Sequence, residues 1–545
     1  MRVLFIDQLR RNPERVHKTD NQAIMGARVF EWSLISNLLE YGTYDAYFAP
    51  AITEQWKDEL VQDGVSREAV NRLTPVLLGH PLPIKDSDEA IFLTAGRYLD
   101  FLATLRQKVK RYDAPICGFI HSINSARIAL ALLEQCFVGL SEADLLLCSS
   151  RAGKRTIDLY VDEVNRLLSP AFRYPARRVL VPLAVSIPTI EPEARAILRQ
   201  RLHLDGQSNL ALYLGRLSQS SKCDLGPLLV ALSQLSGRGS SLHLVIAGDD
   251  TQTNEAPRLQ SLASALGCHE RLTIWPNPSA DEKHLLYSGA DMFVSPSDNL
   301  QETFGLSVAE AMAYGLPSIV SDWDGYRDLV KDGETGFLIP SFLPPGVETL
   351  RLCDCATSMM QEDSLAQSTA IDVGILSERL ERLANDRVAR RRMGLAARHF
   401  IENSCSWQVV VKRYEELWGE ASQIAKKISS NGKPESELLT ASLEKCFGHY
   451  ASAKRGGESK CFITPEGREW LKRPDRFYFL SQLTTGPCPQ KFARMLRRVS
   501  DCPGLSVASV VESCEDGSDP DSLAHALFAL ARLFKYGLVS DVQTS

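Results

Sequence analysis

The chain has 545 residues, 61 Lys and Arg against 67 Asp and Glu, a formal net charge of −6 at neutral pH and 44% hydrophobic content. That length exceeds what one core can organise and predicts several globular domains. The acidic balance argues against a nucleic-acid partner, and no apolar run is long enough to span a bilayer as a helix.

Taken in chain order, Val3 to Asp7 predicts a strand, Ala27 to Leu39 an amphipathic helix and Ala46 to Pro50 a second strand. Ala90 to Val109 reads as a long helix. Ile116 to His121, Asp144 to Cys148 and Val179 to Val185 read as further strands with helices between them. Such alternation implies a parallel sheet covered on both faces. A second alternating set has strands at Leu210 to Gly215, Leu242 to Gly248, Leu272 to Trp275, Met292 to Pro296 and Ser318 to Asp322. The fold expected is α/β, two tandem Rossmann-like doubly wound domains at 1–186 and 187–424 with a cleft between them. Residues 341–370 carry Pro-Pro-Gly and polar runs and read as a loop insertion. Lys426 to Glu437 is polar and reads as a linker. Beyond it, Leu438 to Tyr450, Thr464 to Leu471 and Asp521 to Tyr536 look helical, with Leu523, Leu527, Leu530 and Leu533 as one apolar stripe for a core. Residues 438–545 are expected as a small, mostly helical accessory domain. The run Gly537-Leu538-Val539 suggests a winged-helix-like arrangement, without a basic face for DNA.

The densest chemistry lies between Ser295 and Pro340, SPSDNLQETFGLSVAEAMAYGLPSIVSDWDGYRDLVKDGETGFLIP. Thr303 to Tyr314 predicts a helix stopped by Gly315 and Pro317, between the strands at 292–296 and 318–322. Ligands of such β-α-β units sit at the carboxyl ends of the strands. Phe304-Gly305-Leu306 opens the helix, where free N–H groups and the positive end of the dipole suit a phosphate. Glu302 and Glu310 flank that anion site, so they suit hydroxyls. Glu310 equally fits a capping box with Ser307, and Glu302 fits a solvated loop acid.

This segment resembles the nucleotide-binding half of retaining glycosyltransferases of family 4, with the two-domain GT-B fold. The likeness rests on the Glu-x7-Glu pair, the Phe-Gly-Leu turn, the EAMAxGLP run and the later TGFLIP. The resemblance implies that Glu302 contacts the donor sugar and Glu310 the nucleotide ribose. It also implies that the helix Gln408 to Trp418 crosses back to brace the first domain.

A second site follows the strand at Leu210, in GRLSQSSK, Gly215 to Lys222. By resemblance, Arg216 and Lys222 bind the donor diphosphate. Two fixed cations stabilise the charge that grows on a leaving phosphate, Arg216 as a planar fork and Lys222 as a point charge. The gap between them is one residue longer than the common family pattern, and Cys223 stands where a glycine usually follows the lysine. In the first domain His121 ends a strand, where family members place a histidine near the donor sugar. A histidine satisfied by backbone groups is the alternative. Gly26 takes the place of a pair of family glycines lying over the phosphates, or is a plain turn glycine.

The expected activity is transfer of a sugar from a nucleotide-sugar donor to a hydroxyl acceptor, with retention at the anomeric carbon. No cofactor and no metal is expected, and the Asp322-Trp-Asp-Gly run reads as a loop on the donor-domain rim. The alternatives are a non-catalytic nucleotide-binding scaffold, or an epimerase or phosphorylase of the same fold. The 13 cysteines are scattered without a CxxC pair, which fits reduced thiols. The start Met1-Arg-Val-Leu-Phe-Ile-Asp lacks the regions of a secretory leader, so a cytoplasmic protein is expected, with peripheral membrane contact left open.

Overall fold

The computed structural model describes residues 1–7, 26–50, 54–76, 82–121, 123, 127–169, 172–206, 208–300, 302–343, 366–430, 456–473, 475–477, 489–514 and 522–543. Two compact units are present, Met1–Pro75 with Ile84–Leu438, and Val76–Pro83 with Leu439–Ser545. The first unit holds two parallel sheets. The strands of the first sheet are β1 (Arg2–Ile6), β2 (Ala46–Pro50), β3 (Leu73–Val76), β4 (Glu89–Leu93), β5 (Ile116–Phe119), β6 (Leu145–Cys148) and β7 (Arg177–Leu180). They run in the order β3-β2-β1-β4-β5-β6-β7. The second sheet has β8 (Leu210–Leu214), β9 (His243–Gly248), β10 (Leu272–Pro276), β11 (Met292–Ser295), β12 (Ser318–Ser321) and β13 (Gly336–Ile339), in the order β10-β9-β8-β11-β12-β13. Every pairing in the second sheet is parallel. Its middle strands LALYL, HLVIAG and MFVS are buried at every position, the continuous apolar pattern that a sheet covered on both faces requires.

One expected element is corrected. Residues 90–109 are not one helix. Ala90, Ile91, Phe92 and Leu93 are buried in β4, paired in parallel with β1, and a helix, Asp100–Lys108, follows after a turn at Gly96. A short apolar run supports strand or buried helix equally, and here an open sheet position decided it. The strand expected at 179–185 ends at Leu180. Val185 instead makes an isolated bridge with Ser406.

The helix Trp407–Ser430 packs against the first sheet. Tyr414 meets the Phe119 ring edge-on at 5.3 Å, and Trp418 meets Tyr44 at 5.7 Å. The Glu415 carboxylate accepts from Thr43 N and Oγ1, both at 2.6 Å. Its buried residues continue one core with Phe30, Leu34 and Leu38 of the helix Gly26–Tyr41.

The second unit has an antiparallel sheet in which Lys460–Ile463 lies between Leu505–Ser506 and Val539–Ser540. The helices Pro465–Leu471, Pro489–Asp501, Val507–Glu512 and Ser522–Lys535 accompany it. Thr464 caps the first of these by accepting from Gly467 N. Of the expected leucine stripe, Leu530 and Leu533 are buried and Leu527 is exposed. Leu523 and the segment 438–450 lie outside what can be described of side chains and backbone respectively. The helix Pro489–Asp501 buries Phe492, Met495, Leu496 and Val499 and exposes Arg494, Arg497 and Arg498. These three arginines share one side of the helix. Helical winding gathers residues three and four apart, which the composition does not reveal.

Candidate functional site

The second sheet grows from β8 through β9 to β10 on one side, then resumes beside β8 with β11 and continues to β13 on the other. The crevice beyond the carboxyl ends of β8 and β11 is thus a topological switch point, where doubly wound sheets bind ligands. The Gly215–Lys222 loop leaves β8 there, and the segment carrying Asp298 and Glu302 leaves β11.

Lys222 and Glu302 meet there. The ammonium Nζ forms an ion pair with Glu302 Oε2, and both side chains are largely buried. The Tyr326 hydroxyl lies 2.7 Å from Ser295 Oγ, and burial with the nearby Glu302 charge keeps it protonated. Arg216 is held by its own loop, donating to Ser221 Oγ at 2.9 Å and to Ser221 O at 2.8 Å. The two loops are tied together as well. Ser297 Oγ donates to Lys222 O at 3.2 Å, and Asn299 Nδ2 donates to Ser220 O. The Asp298 carboxyl faces Asp224 N at 3.4 Å, and burial holds it up at about 7. Burial likewise pushes the Cys223 thiol well above its ordinary range, so it stays protonated beside Tyr213.

The helix after Glu302 runs Leu306–Ala313, shorter at its start than the expected 303–314. Gly305 is its N-cap, with a left-handed φ of 103°. A side chain there would also strike the Tyr326 ring, at 2.6 Å from a Cβ. Gly305 offers no capping side chain to the first-turn N–H groups, and Phe304 before it is buried. Because Gly305 is the cap, Ser307 is the second helical residue and no Ser307–Glu310 capping box forms. Glu310 instead accepts from the Tyr287 hydroxyl at 3.0 Å. Tyr287 stacks on Tyr314 at 5.0 Å, and Tyr314 O–H lies 2.7 Å from His284 Nδ1.

His121 follows β5 of the first sheet. Its Nε2 lies 2.6 Å from Ala95 O. A carbonyl only accepts, so Nε2 carries the hydrogen and Nδ1 keeps a free lone pair in the neutral ring. Enclosure by protein pulls its pKa down to about 4, so the imidazole is neutral at physiological pH. Thr303, next to Glu302, joins the two sheets. Its Oγ1 donates to His121 O at 2.9 Å, and its carbonyl accepts from Ser149 Oγ at 3.3 Å. Gly26 is the first residue of its helix rather than a loop residue, and residues 8–25 before it lie outside the described part.

Sequence reasoning missed Tyr326, Tyr287, Thr303 and Asp298. Each is a partner supplied from elsewhere in the chain or a plain polar residue inside a run, and no local pattern marks it. Among the described residues, no cluster of three His, Cys, Asp or Glu is gathered as for a metal ion. No described helix is long and apolar enough to cross a membrane.

Residues 194–344 match the family model for glycosyl transferases group 1. Over 184 residues the chain is 34% identical to a D-inositol 3-phosphate glycosyltransferase of Mycolicibacterium gilvum, covering 33% of this chain and 40% of that protein. Over 176 residues it is 29% identical to an alpha-D-kanosaminyltransferase of Streptomyces kanamyceticus, covering 32% and 42%. It thus spans less than half of either relative. Among solved structures, a glycosyltransferase from Rickettsia africae covers 77% of this chain and 98% of its own, with a TM-score of 0.52 and 14% identity. Anabaena HepE in complex with UDP covers 79% and 100%, with a TM-score of 0.50 and 15% identity.

Proposed function

Because residues 194–344 are a glycosyl transferases group 1 domain and the two parallel sheets form a GT-B fold, we propose that the chain is a retaining glycosyltransferase. It moves a sugar from a nucleotide-sugar donor to a hydroxyl acceptor. The observation that carries this reading is the Lys222–Glu302 pair at the switch point, beside a helix opened by Gly305 and beside His121.

In this reading the diphosphate meets the first-turn N–H groups at Gly305 and Leu306, over Phe304. Lys222 and Arg216 supply positive charge for the leaving phosphate. A dianionic phosphate competes with Glu302 for the ammonium, and Glu302 is then released to accept from a donor-sugar hydroxyl. Breaking a buried pair without replacement is costly, so the exchange couples phosphate and sugar recognition. Glu310, aimed by Tyr287, takes ribose hydroxyls. His121, neutral, offers Nδ1 to a sugar hydroxyl rather than acting as a strong base. The leaving phosphate itself takes the acceptor proton on the face it departs from, which accounts for retention without a protein nucleophile. Gly26 opens the helix Gly26–Tyr41. The working division is an acceptor domain at 1–186, a donor domain at 187–424 and an accessory domain at 438–545. The protein works in the cytoplasm.

The test is incubation with a panel of nucleotide sugars and acceptors. We expect free nucleoside diphosphate only when acceptor is added, with the product anomer matching the donor by NMR. Nucleotide binding without turnover favours the scaffold alternative, and inversion of a sugar centre within the donor favours an epimerase.

A further inference from the structure

We propose that Asp324 is a specificity-determining residue that reads hydroxyl groups of the donor sugar beside Glu302; this rests on the glycosyltransferase reading above. Asp324 follows β12, one strand beyond the switch point. Among the described residues it is one of the few non-glycine residues in the left-handed region, with φ of 40°. Aspartate tolerates such a backbone better than most residues, and it persists where its surroundings impose it.

Those surroundings are visible. Trp323 Nε1 donates to Asn299 O at 3.0 Å. Arg327 donates to the Asp322 carbonyl at 2.8 Å and its carboxylate at 2.6 Å, and Ser341 Oγ donates to Asp322 O at 2.8 Å. Gly325 N reaches toward Glu302 O at 3.4 Å. A Cβ on Gly325 would lie 2.5 Å from both Phe304 Cα and Thr303 O, so the turn can abut the Glu302–Phe304 segment only with glycine there. The turn is pinned to the site segment on both sides of Asp324.

The pinning sets the Asp324 carboxyl in the field of Glu302. The two differ in their partners. Glu302 has Lys222, whereas Arg327, the cation nearest Asp324 in sequence, bonds Asp322. Enclosure, then the Glu302 charge, hold the Asp324 carboxyl up at about 7. A carboxyl that keeps its proton in part both donates and accepts, so a pair with Glu302 can read two sugar hydroxyls of fixed relative orientation. The Asp324 side chain is half-buried, and the close approach of Gly325 to the Thr303–Phe304 backbone keeps its turn against the segment that carries Glu302.

The experiment compares the full chain with Asp324→Asn and Asp324→Gly, both residue types that tolerate left-handed backbone. Calorimetry with free nucleoside diphosphates and with the matching nucleotide glucose, galactose and N-acetylglucosamine gives two affinities per variant. We expect the nucleoside diphosphate Kd to stay within about twofold. The affinity for the preferred nucleotide sugar should fall about tenfold in Asp324→Gly and less in Asp324→Asn, with the preference between glucose and galactose compressed. Unchanged sugar affinity and preference would overturn the assignment. So would a parallel loss of both affinities, which marks a merely structural turn. A parent chain that binds no nucleotide sugar overturns the glycosyltransferase reading first and this assignment with it.

Discussion

Each of the acids around the crevice has a different set of partners, and the partners decide what it can do. Glu310 is not a helix cap, so Glu310→Gln should leave the melting temperature within about 1 °C. Donor binding should weaken about tenfold by calorimetry, as the charge that Tyr287 orients is lost. Equal affinity in mutant and parent would remove Glu310 from the ribose site. Asp298 behaves differently with pH. Its native carboxyl holds a proton up to about 7, against an ordinary value of 3.8. Between those values folding takes up a proton, so this group's contribution to stability falls as pH rises through that window. The full displacement sets an upper limit of about 4 kcal/mol, and solvent access lowers it. Asp298→Asn should therefore raise the melting temperature, by more at pH 8 than at pH 5. A shift that is the same at both values would show that Asp298 is ionised in the native state.

At the scale of elements, the site depends on joints between the first and second sheets. The helix Arg151–Leu167 is capped by Ser150 Oγ accepting from Gly153 N at 2.9 Å. From the short helix Tyr326–Leu329 after β12, the Asp328 carboxylate accepts from both Arg151 N and Arg151 Nε. An anion at a helix N-terminus is worth typically 0.3–1 kcal/mol, and Arg151 is exposed enough for water to screen the ion pair. Asp328→Ala should thus cost less than about 1 kcal/mol in denaturant titration. If the joint also sets the distance between His121 and Glu302, transfer should slow several-fold with donor affinity kept. An unchanged rate would make the contact structural only. Thr303→Val tests the same distance from the other side, because it removes the hydroxyl that holds His121 O. The β4 misreading belongs at this scale too. Four apolar residues do not say whether they are strand or helix, and only the vacancy between β1 and β5 settles it.

For the whole molecule, the helix Trp407–Ser430 marks where the first unit can be cut. Ala421 and Ala425 are buried along it, so a truncation at 425 would damage the core, while one after Ser430 should not. The 1–430 chain should stay folded and bind nucleoside diphosphate like the full chain. An insoluble 1–430 protein would show that the tail is part of the catalytic fold. Transfer should also survive excess EDTA, since Lys222 and Arg216 supply the charge a divalent ion would bring. Loss of activity in chelator, with recovery on adding magnesium or manganese, would overturn that assignment of the diphosphate site.

The sequence by itself determined the two alternating sets and the Phe-Gly-Leu helix start. It also marked the acids at 302 and 310 and the basic loop at 216–222. All of these are local patterns, fixed by strand and helix periodicity and by glycine at a helix entry. Tertiary structure alone decided that Lys222 lies on Glu302, that Tyr287 rather than Ser307 engages Glu310, and that Asp324 sits beside the site in left-handed backbone. Those contacts join residues far apart in the chain or depend on a turn being pinned from outside. Spacing along a sequence carries no information about which loops share the end of a sheet until the strand order is known.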